Sequence, residues 1–274
     1  MRKQLLLIIM ALMPMIGYAN ITTNIDGMIY SLDTYEKTAE LVKGGSYSGY
    51  VKIPSTVVYG GNTYDVVSIG SEVFKNCTEL TSVSIPSSIK TIRSGAFSNC
   101  VNLTAVYITD IESWCKIMFS SSSSSNPLVF AHHLFLNGEE IINLVIPDGV
   151  EIVEAYSFTG CDLKSVSIPA SVTNIGYSAF SNCTKLTSVS IPNSVEYING
   201  KAFAGCSALP SINIPEGVES VGKEVFKECI GLTSVTIGDD VTSIGSSAFE
   251  GCSNITKLKF GRSLTRINSI FDYE

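Results

Sequence analysis

One register runs through most of this chain: a phenylalanine followed three residues later by a cysteine. The phenylalanines are separated by 23, 61, 22, 23, 23 and 23 residues. They are Phe74, Phe97, Phe158, Phe180, Phe203, Phe226 and Phe249, and the cysteines are Cys77, Cys100, Cys161, Cys183, Cys206, Cys229 and Cys252. A unit of about 23 residues cannot bury its apolar side chains alone, so copies must stack on one another.

The unit itself predicts a short strand followed by a sharp bend. From Val189 to Ile191 apolar and small polar residues alternate, which indicates a strand with one buried face. Pro192 then removes a backbone donor and ends the strand. The same Ile-Pro pair begins at Ile53, Ile85, Ile146, Ile168, Ile191 and Ile214.

After the bend, Val195 and Ile198 are predicted to face inward again. Asn199 follows, and its residue type tolerates a positive φ, which predicts a left-handed corner. Arg93 and Glu154 occupy the same position, so the left-handed conformation is not expected in every coil. The other equivalents are Gly70, Gly176, Gly222, Gly245 and Asn268.

These patterns predict a β-rich solenoid, a parallel stack of about eight coils with strands roughly 4.8 Å apart. We assign residues 66–274 to this solenoid. The eight strand motifs begin at Leu80, Leu103, Ile141, Leu163, Leu186, Leu209, Leu232 and Ile255.

The repeated pattern L-x-S-V-x-I-P-x-S-V-x-x-I-G-x-x-A-F-x-x-C resembles the BspA-like, or Treponema-type, leucine-rich repeat. Ile191, Pro192, Val195, Phe203 and Cys206 match it as they stand. The resemblance covers residues 51 to about 270. It implies an exported bacterial surface or secreted binding protein with no catalytic residues, and some members attach to host matrix proteins or to other cells. It does not identify the ligand.

The first 65 residues are predicted to hold a signal peptide and a cap. Arg2 and Lys3 precede an apolar run, and cleavage after Ala19 would remove residues 1–19. The run is shorter than the roughly 20 residues that a membrane anchor needs. Residues 20–65 contain short apolar runs separated by glycine-containing turns, which predicts an N-terminal cap of β-hairpins that covers the open end of the stack.

The net charge and the predicted location of the chain limit the partners that it can bind. Removing Arg2 and Lys3 changes the formal net charge from −7 to −9. An acidic chain with no basic stripe has no electrostatic reason to bind nucleic acid. We expect a secreted, periplasmic or cell-surface monomer that has no membrane span after cleavage.

The period breaks between Leu103 and Ile141, which lie 38 residues apart rather than 23. Within this insert, residues 109–140, a capping-box pattern from Thr109 to Glu112 predicts a short helix that carries Trp114. The serine run 120–125 predicts a flexible loop, and the stretch 134–141 predicts a hairpin about an Asn-Gly turn.

The insert holds the only tryptophan and both histidines. Its aromatic and histidine side chains are Trp114, Phe119, Phe130, His132, His133 and Phe135. They either form a binding site beside the sheet or pack the insert onto the solenoid. A similar Trp-Cys and Asn-Pro-Leu segment recurs in the family that the repeat resembles, which favours packing.

The cysteines and histidines predict neither metal binding nor catalysis. Equivalent cysteines in adjacent coils have parallel Cβ vectors, so their Cβ atoms are expected about 5 Å apart instead of the 3.8 Å of a disulfide. We therefore predict free thiols. No C-x-x-C pair suggests zinc. His132 and His133, if on a strand, point to opposite sides. We expect no cofactor and no enzymatic activity.

The outward residues of each strand are small and polar, which leaves few candidate binding residues. Tyr107 is the one aromatic anchor on this face. Lys257 and Lys259 form a basic end, and Phe130 and His132 are candidates from the insert. Two functions stay open: adhesion to a host or neighbouring-cell protein, and a glycan-binding or envelope structural module.

Overall fold

The computed structural model describes residues 20–120, 123–267 and 269–271. The predicted signal peptide, residues 1–19, and Asn268 therefore lie outside the described residues. Among the described residues, no helix is long and apolar enough to cross a membrane.

The described residues fold into many short strands, two short α-helices and one 3₁₀-helix. The first strands are β1 (Ile21–Ile25), β2 (Met28–Asp33), β3 (Thr38–Val42), β4 (Gly49–Lys52), β5 (Thr56–Tyr59), β6 (Asn62–Ile69), β7 (Leu80–Ser84), β8 (Thr91–Ile92) and β9 (Ala105–Ile108). The insert region contains α1 (Ile111–Cys115), β10 (Met118–Phe119), a 3₁₀-helix (Ser123–Ser125), α2 (Leu128–Ala131), β11 (Leu134–Leu136) and β12 (Glu139–Glu140). The later strands are β13 (Asn143–Val145), β14 (Ile152–Val153), β15 (Ser165–Ser167), β16 (Asn174–Ile175), β17 (Ser188–Ser190), β18 (Tyr197–Ile198), β19 (Ser211–Ile214), β20 (Ser220–Val221), β21 (Ser234–Ile237), β22 (Ser243–Ile244), β23 (Lys257–Lys259) and β24 (Arg266–Ile267).

The predicted parallel β-solenoid is confirmed, with about ten turns. The strands that precede the bend form what we call the long-strand face: β4, β7, β9, β11, β13, β15, β17, β19, β21 and β23. The two-residue strands after the bend, together with β6, form the short-strand face. Neighbouring strands pair in register, so that Val166 lies beside Val189 and Ser165 beside Ser188.

The sequence count of eight strand motifs was low by two. β4 was missed because Gly49 stands where the next strand begins with Leu80. β11 was missed because it lies inside the insert, where Asn137 follows Leu136 in place of the Ile-Pro pair. Both strands nevertheless pair in parallel with the long-strand face, β4 with β7 and β11 with β9.

The phenylalanine ladder forms the centre of the core. Phe180, Phe203 and Phe226 are fully buried. Consecutive rings stack almost parallel, with centroids 5.4 Å apart between Phe180 and Phe203 and 5.7 Å between Phe203 and Phe226. Because each ring packs against the rings of both neighbouring coils, the core is continuous along the stack.

The predicted left-handed corner lies two residues later than the sequence suggested. Positive φ occurs at Ser178 (54°), Lys201 (59°) and Glu224 (58°), and not at Gly176, Asn199 or Gly222. The glycines at the predicted position allow close approach of adjacent backbones. A Cβ atom on Gly222 would lie 2.5 Å from the backbone nitrogen of Gly200, and one on Gly176 would lie 2.6 Å from that of Ala155. At Gly176 and Gly222 a side chain would meet the backbone of the adjacent coil, although Arg93, Glu154 and Asn199 carry side chains at the equivalent position of other coils.

The long-strand face is interrupted twice among the described strands, between β11 and β13, where β12 pairs with β11 instead, and between β17 and β19. The second interruption has a local cause. Elsewhere a threonine nitrogen bonds to the preceding coil, as Thr187 N does to Lys164 O (2.9 Å) and Thr233 N to Pro210 O (2.9 Å). Pro210 occupies this position in its own coil and has no N–H to donate. Among the described residues, β17 and β19 do not pair.

Residues 20–65 extend both faces of the solenoid. β1, β2 and β3 form an antiparallel meander, and β5 and β6 form a hairpin. β3 then pairs in parallel with β6, and β6 in parallel with β8. The predicted boundary between residues 65 and 66 falls inside β6.

The insert contains the predicted helix and hairpin, but its helix cap is displaced by one residue. The N-cap of α1 is Asp110, whose carboxylate accepts a hydrogen bond from Ser113 N at 2.8 Å, and not Thr109. Asp110 has extended backbone angles, which suit an N-cap, and its carboxylate reaches the third residue of the helix. β11 and β12 form the hairpin about Asn137 and Gly138.

The serine run is ordered where the structure describes its second half. Residues 123–125 form a 3₁₀-helix, in which Ser125 is buried. Phe97 N donates to Ser124 O at 3.1 Å, in the same way that Phe74 N donates to Ala96 O in the preceding coil. The expectation of a flexible loop is therefore wrong for this segment, which takes the place of a coil corner.

Trp114 packs the insert onto the solenoid. Its ring is buried, and its Nε1 donates to Ser157 O at 2.9 Å. The buried Asn126 side chain donates to the same carbonyl at 3.1 Å. Trp114 and Asn126 therefore have structural roles.

Candidate binding surface

Tyr107 lies in a small aromatic cluster on the long-strand face. Strand pairing places it beside Ser84 on β7 and beside Phe135 on β11. Its ring stacks on that of Phe135 with centroids 4.9 Å apart, and meets the ring of Tyr50 edge to face at 6.0 Å. We call Tyr50, Tyr107 and Phe135 the aromatic ridge.

The ridge depends on the small residues of the strand between its tyrosines. β7 separates β4 from β9, and Tyr50 lies on the row of Ser82 and Ala105, two residues along the strand from the row of Tyr107. The backbones of the two tyrosines are therefore about 12 Å apart, two strand spacings across and two residues along. Their ring centroids approach to 6.0 Å, so the rings must lean over β7. The outward residues there are Ser82 and Ser84, which are short enough to leave this space.

Charged side chains flank the ridge. Lys52 lies on the same cross-strand row as Ser84 and Tyr107, at the β4 side. Glu140 lies opposite Phe135 at the β12 side, and Glu139 is next to it. The row therefore runs from a cation through two aromatic rings to a carboxylate.

The rest of the long-strand face is a flat ladder of small polar groups, as predicted. Ser165 Oγ donates to Asn143 Oδ1 at 2.7 Å, so some of these groups bond to one another across coils. The exception is Val145, which is 69% exposed. No other aromatic side chain projects from this face among the described strands.

Phe130 and His132 lie outside the ridge. Phe130 belongs to α2 and is half-buried against the hydrophobic core. His132 ends α2 with a φ of 59°, and its Nδ1 is 2.7 Å from Gly160 O. His132 therefore lies at the end of a helix, so the two histidines do not follow one another along a strand. This corrects the strand placement considered from the sequence. His133 Nδ1 lies 2.6 Å from Glu140 Oε1 instead.

Lys257 and Lys259 are exposed on β23, the last strand of the long-strand face. β23 and β9 belong to different sheets of this face, and β11, β13, β15, β17, β19 and β21 come between them in the order of the chain. Nearby, Arg262 pairs with Asp239 at 3.5 Å. The candidate residues thus fall in three places, and all five stay predicted binding residues.

The thiols of the cysteine ladder are buried and free. Cys206 Sγ donates to Phe180 O at 3.3 Å, and Cys229 Sγ to Phe203 O at 3.1 Å, so each thiol bonds to the neighbouring coil. Burial raises the pKa of the Cys206 thiol to about 12 and that of Cys115 to about 12. Such thiols are poor nucleophiles at neutral pH. Within the part of the chain that the structure describes, no three His, Cys, Asp or Glu side chains form a metal-binding group.

The sequence analysis did not identify Tyr50 and Phe135 as members of the aromatic ridge. Only Tyr50 stands in a recognisable strand motif. Tyr50 precedes Val51, Lys52 and the Ile53-Pro54 pair, so the strand motif was present. It had been assigned to the cap because no leucine leads it. Phe135 was recognised only as one of several aromatics in the insert, since its pairing with Tyr107 depends on how the insert folds.

The fold defines a class: a repeat protein whose stacked β coils present a flat face of parallel strands. Residues 62–134 and 129–256 match the family described as BspA type leucine rich repeat region, in six copies. The chain belongs to this family. Its members are repeat scaffolds, typically secreted or at the cell surface.

Several solved structures are similar to this chain, and the first of the three below has the same fold. A leucine-rich repeat protein from Bacteroides ovatus is 23% identical, with a TM-score of 0.59 over 90% of this chain and 80% of that one. The Treponema pallidum leucine rich repeat protein is 25% identical, with a TM-score of 0.47 over 86% and 91%. A leucine rich cell surface protein from Faecalibacterium prausnitzii is 20% identical, with a TM-score of 0.45 over 89% and 96%. The search of curated proteins gives no match.

Proposed function

We propose that this chain is an exported, non-catalytic adhesion module that binds a protein of a host or neighbouring cell through its aromatic ridge. The observation that carries the proposal is the contact of Tyr107 with both Phe135 and Tyr50 on an exposed face. Binding energy at protein interfaces concentrates in a few large aromatic and arginine side chains. Tyr50, which is 57% exposed, enlarges the anchor that Tyr107 provides.

The surroundings of the ridge also suit a protein interface. A central group of aromatic rings is bordered by small hydroxyls and by charged side chains. That arrangement of an apolar centre and a polar rim is typical of protein interfaces. The predicted signal peptide, residues 1–19, supports export.

The test combines a ligand array with one substitution. The chain without residues 1–19 is applied to arrays of extracellular matrix proteins and of polysaccharides. For a protein that binds, Tyr107→Ser should weaken affinity by about 1–2 kcal/mol, roughly 5- to 30-fold, because one aromatic anchor is lost. The change makes the coil resemble its serine-bearing neighbours, so folding should be unaffected.

Tyr197→Ser is the matched control, since Tyr197 is an exposed tyrosine on the short-strand face. It should leave affinity unchanged. Binding to polysaccharides alone would favour the glycan-binding alternative. If Tyr107→Ser binds as wild type while Lys257→Ala/Lys259→Ala abolishes binding, the site belongs at the basic end and the proposal fails.

A further inference from the structure

We infer that the aromatic ridge binds an extended segment of a partner protein that carries a basic and an acidic residue about six residues apart. This inference rests on the proposed function and adds the chemistry of the partner. It follows from the order of side chains along one cross-strand row: Lys52, Ser84, Tyr107, Phe135 and Glu140.

The two ends of the row carry opposite charges. Lys52 is exposed on β4, and Glu139 and Glu140 are exposed on β12. Neither Lys52 nor Glu139 forms an ion pair with any residue that the structure describes. Glu140 has His133 Nδ1 at 2.6 Å and also interacts at longer range with Lys185. Among the described residues, the β4 end therefore carries an unpaired positive charge, and the β12 end carries two carboxylates, of which Glu140 has cationic neighbours.

The aromatic rings between these ends strengthen the preference for a cation near β12. A lysine or arginine side chain within about 6 Å of an aromatic ring is attracted by the face of the ring. A cation that reaches Glu140 passes Phe135, which is half-buried opposite it. Glu140 is the cross-strand partner of Phe135 and shares its face, whereas Glu139 is paired with Leu136 on the other face. Phe135 and Glu140 can thus contact one basic side chain together.

The length of the row sets the spacing in the partner. From β4 to β12 there are four strand spacings, about 19 Å. An extended polypeptide advances about 3.3 Å per residue, so about six residues span this distance. The segment would cross the strands, with its acidic residue at Lys52 and its basic residue at Glu140.

A neutral glycan would gain nothing from this charge order, which is why the row favours a protein segment. Charge complementarity across an interface fixes the orientation of the partner and excludes wrong ones. The charge order therefore predicts specificity that can be reversed by exchanging the charges.

The experiment uses a phage-displayed library of random 12-residue peptides as the probe. Clones are selected on the chain without residues 1–19 and then sorted by whether Tyr107→Ser abolishes their binding. We expect the clones that depend on Tyr107 to be enriched in peptides with opposite charges five to seven residues apart. Clones that do not depend on Tyr107 should lack this pattern.

Charge variants then test the order directly. Glu139→Lys/Glu140→Lys should weaken the clones that depend on Tyr107 by roughly fivefold or more, the size expected for reversing two exposed charges at the β12 end. Glu196→Lys/Glu216→Lys is the matched control, because it changes the net charge equally at exposed turns away from the ridge. It should change binding less than about twofold, a factor that corresponds to a few tenths of a kcal/mol.

The triple variant Lys52→Glu/Glu139→Lys/Glu140→Lys should bind peptides in which the acidic and basic positions are exchanged. The inference is wrong, while binding at the ridge stands, if clones that depend on Tyr107 show no charge pattern and bind Glu139→Lys/Glu140→Lys as well as they bind the control Glu196→Lys/Glu216→Lys. If no clone depends on Tyr107, the inference is also wrong, and the array with Tyr107→Ser decides the proposed function separately. Near-identical circular dichroism spectra and melting temperatures of all variants exclude misfolding as the cause.

Discussion

At the scale of single residues, the repeated phenylalanine and cysteine fill the same space in each coil that carries the pair. The Phe203 ring stacks between those of Phe180 and Phe226, and the Cys206 thiol bonds to Phe180 O. The phenylalanine supplies apolar area, and the cysteine closes the space beside it while satisfying a carbonyl of the previous coil. These residues recur because the same site recurs.

Phe203→Ala should lower the free energy of unfolding by about 3–5 kcal/mol, because a fully buried ring is replaced by a cavity. Urea denaturation of both chains measures the difference. Phe260→Ala serves as the control, since Phe260 is 39% exposed and its loss should cost less than about 1 kcal/mol. Equal losses for the two variants would contradict a buried phenylalanine ladder.

The ladder thiols should be unreactive in the folded protein. Burial raises the pKa of the Cys100 thiol to about 12, so it stays protonated well above the pH at which an ordinary thiol ionises. We expect little labelling by a thiol reagent between pH 7 and pH 9, and labelling of all eight cysteines after denaturation. Mass spectrometry of the native protein that showed a Cys183–Cys206 disulfide would overturn this prediction.

At the scale of elements, adjacent coils approach so closely at some positions after the short strand that a side chain there would meet backbone. The backbone nitrogen of Gly222 donates to Ile198 O at 2.8 Å. The Cα of Gly222 faces the backbone of Gly200. A side chain at Gly222 would collide with backbone, which cannot move aside as a flexible side chain could. The short-strand face therefore depends on glycine at several of these positions.

Gly222→Ala should destabilise the protein by about 1–3 kcal/mol, the cost of forcing a methyl group into a packed site. The φ of Gly222 is not positive, so the effect would come from crowding and not from backbone strain. Thermal denaturation compares this variant with Lys223→Ala, which removes an exposed side chain from the next residue. A stability equal to that of the wild type would mean that the coils are not so close.

At the scale of the whole molecule, the insert changes the surface without ending the stack. Its Ser123–Ser125 segment takes the place of a corner, and β11 supplies a strand of the long-strand face. The core continues past it, but the face gains Phe135 and Glu140. The irregular coil is therefore where this repetitive protein differs most from its own repeats.

The sequence by itself determined the fold class, the buried register and the small polar character of the long-strand face. It could do so because a 23-residue period repeats the same local choices in every coil, and a parallel stack is the arrangement that buries them all. The identity of the inward residues follows from strand alternation alone. The insert's helix and its Asn-Gly hairpin were also predicted, since capping and turn preferences are local.

Only the tertiary structure decided the number of strands, the reason for the corner glycines and the composition of the aromatic ridge. Each of these depends on which backbone lies beside which. β4 and β11 pair with the stack although they lack the repeat's leucine or Ile-Pro pair, and Gly222 is required by the coil before it. Tyr50 and Phe135 meet Tyr107 from segments 57 and 28 residues away in sequence, a contact between coils that no pattern within one coil encodes.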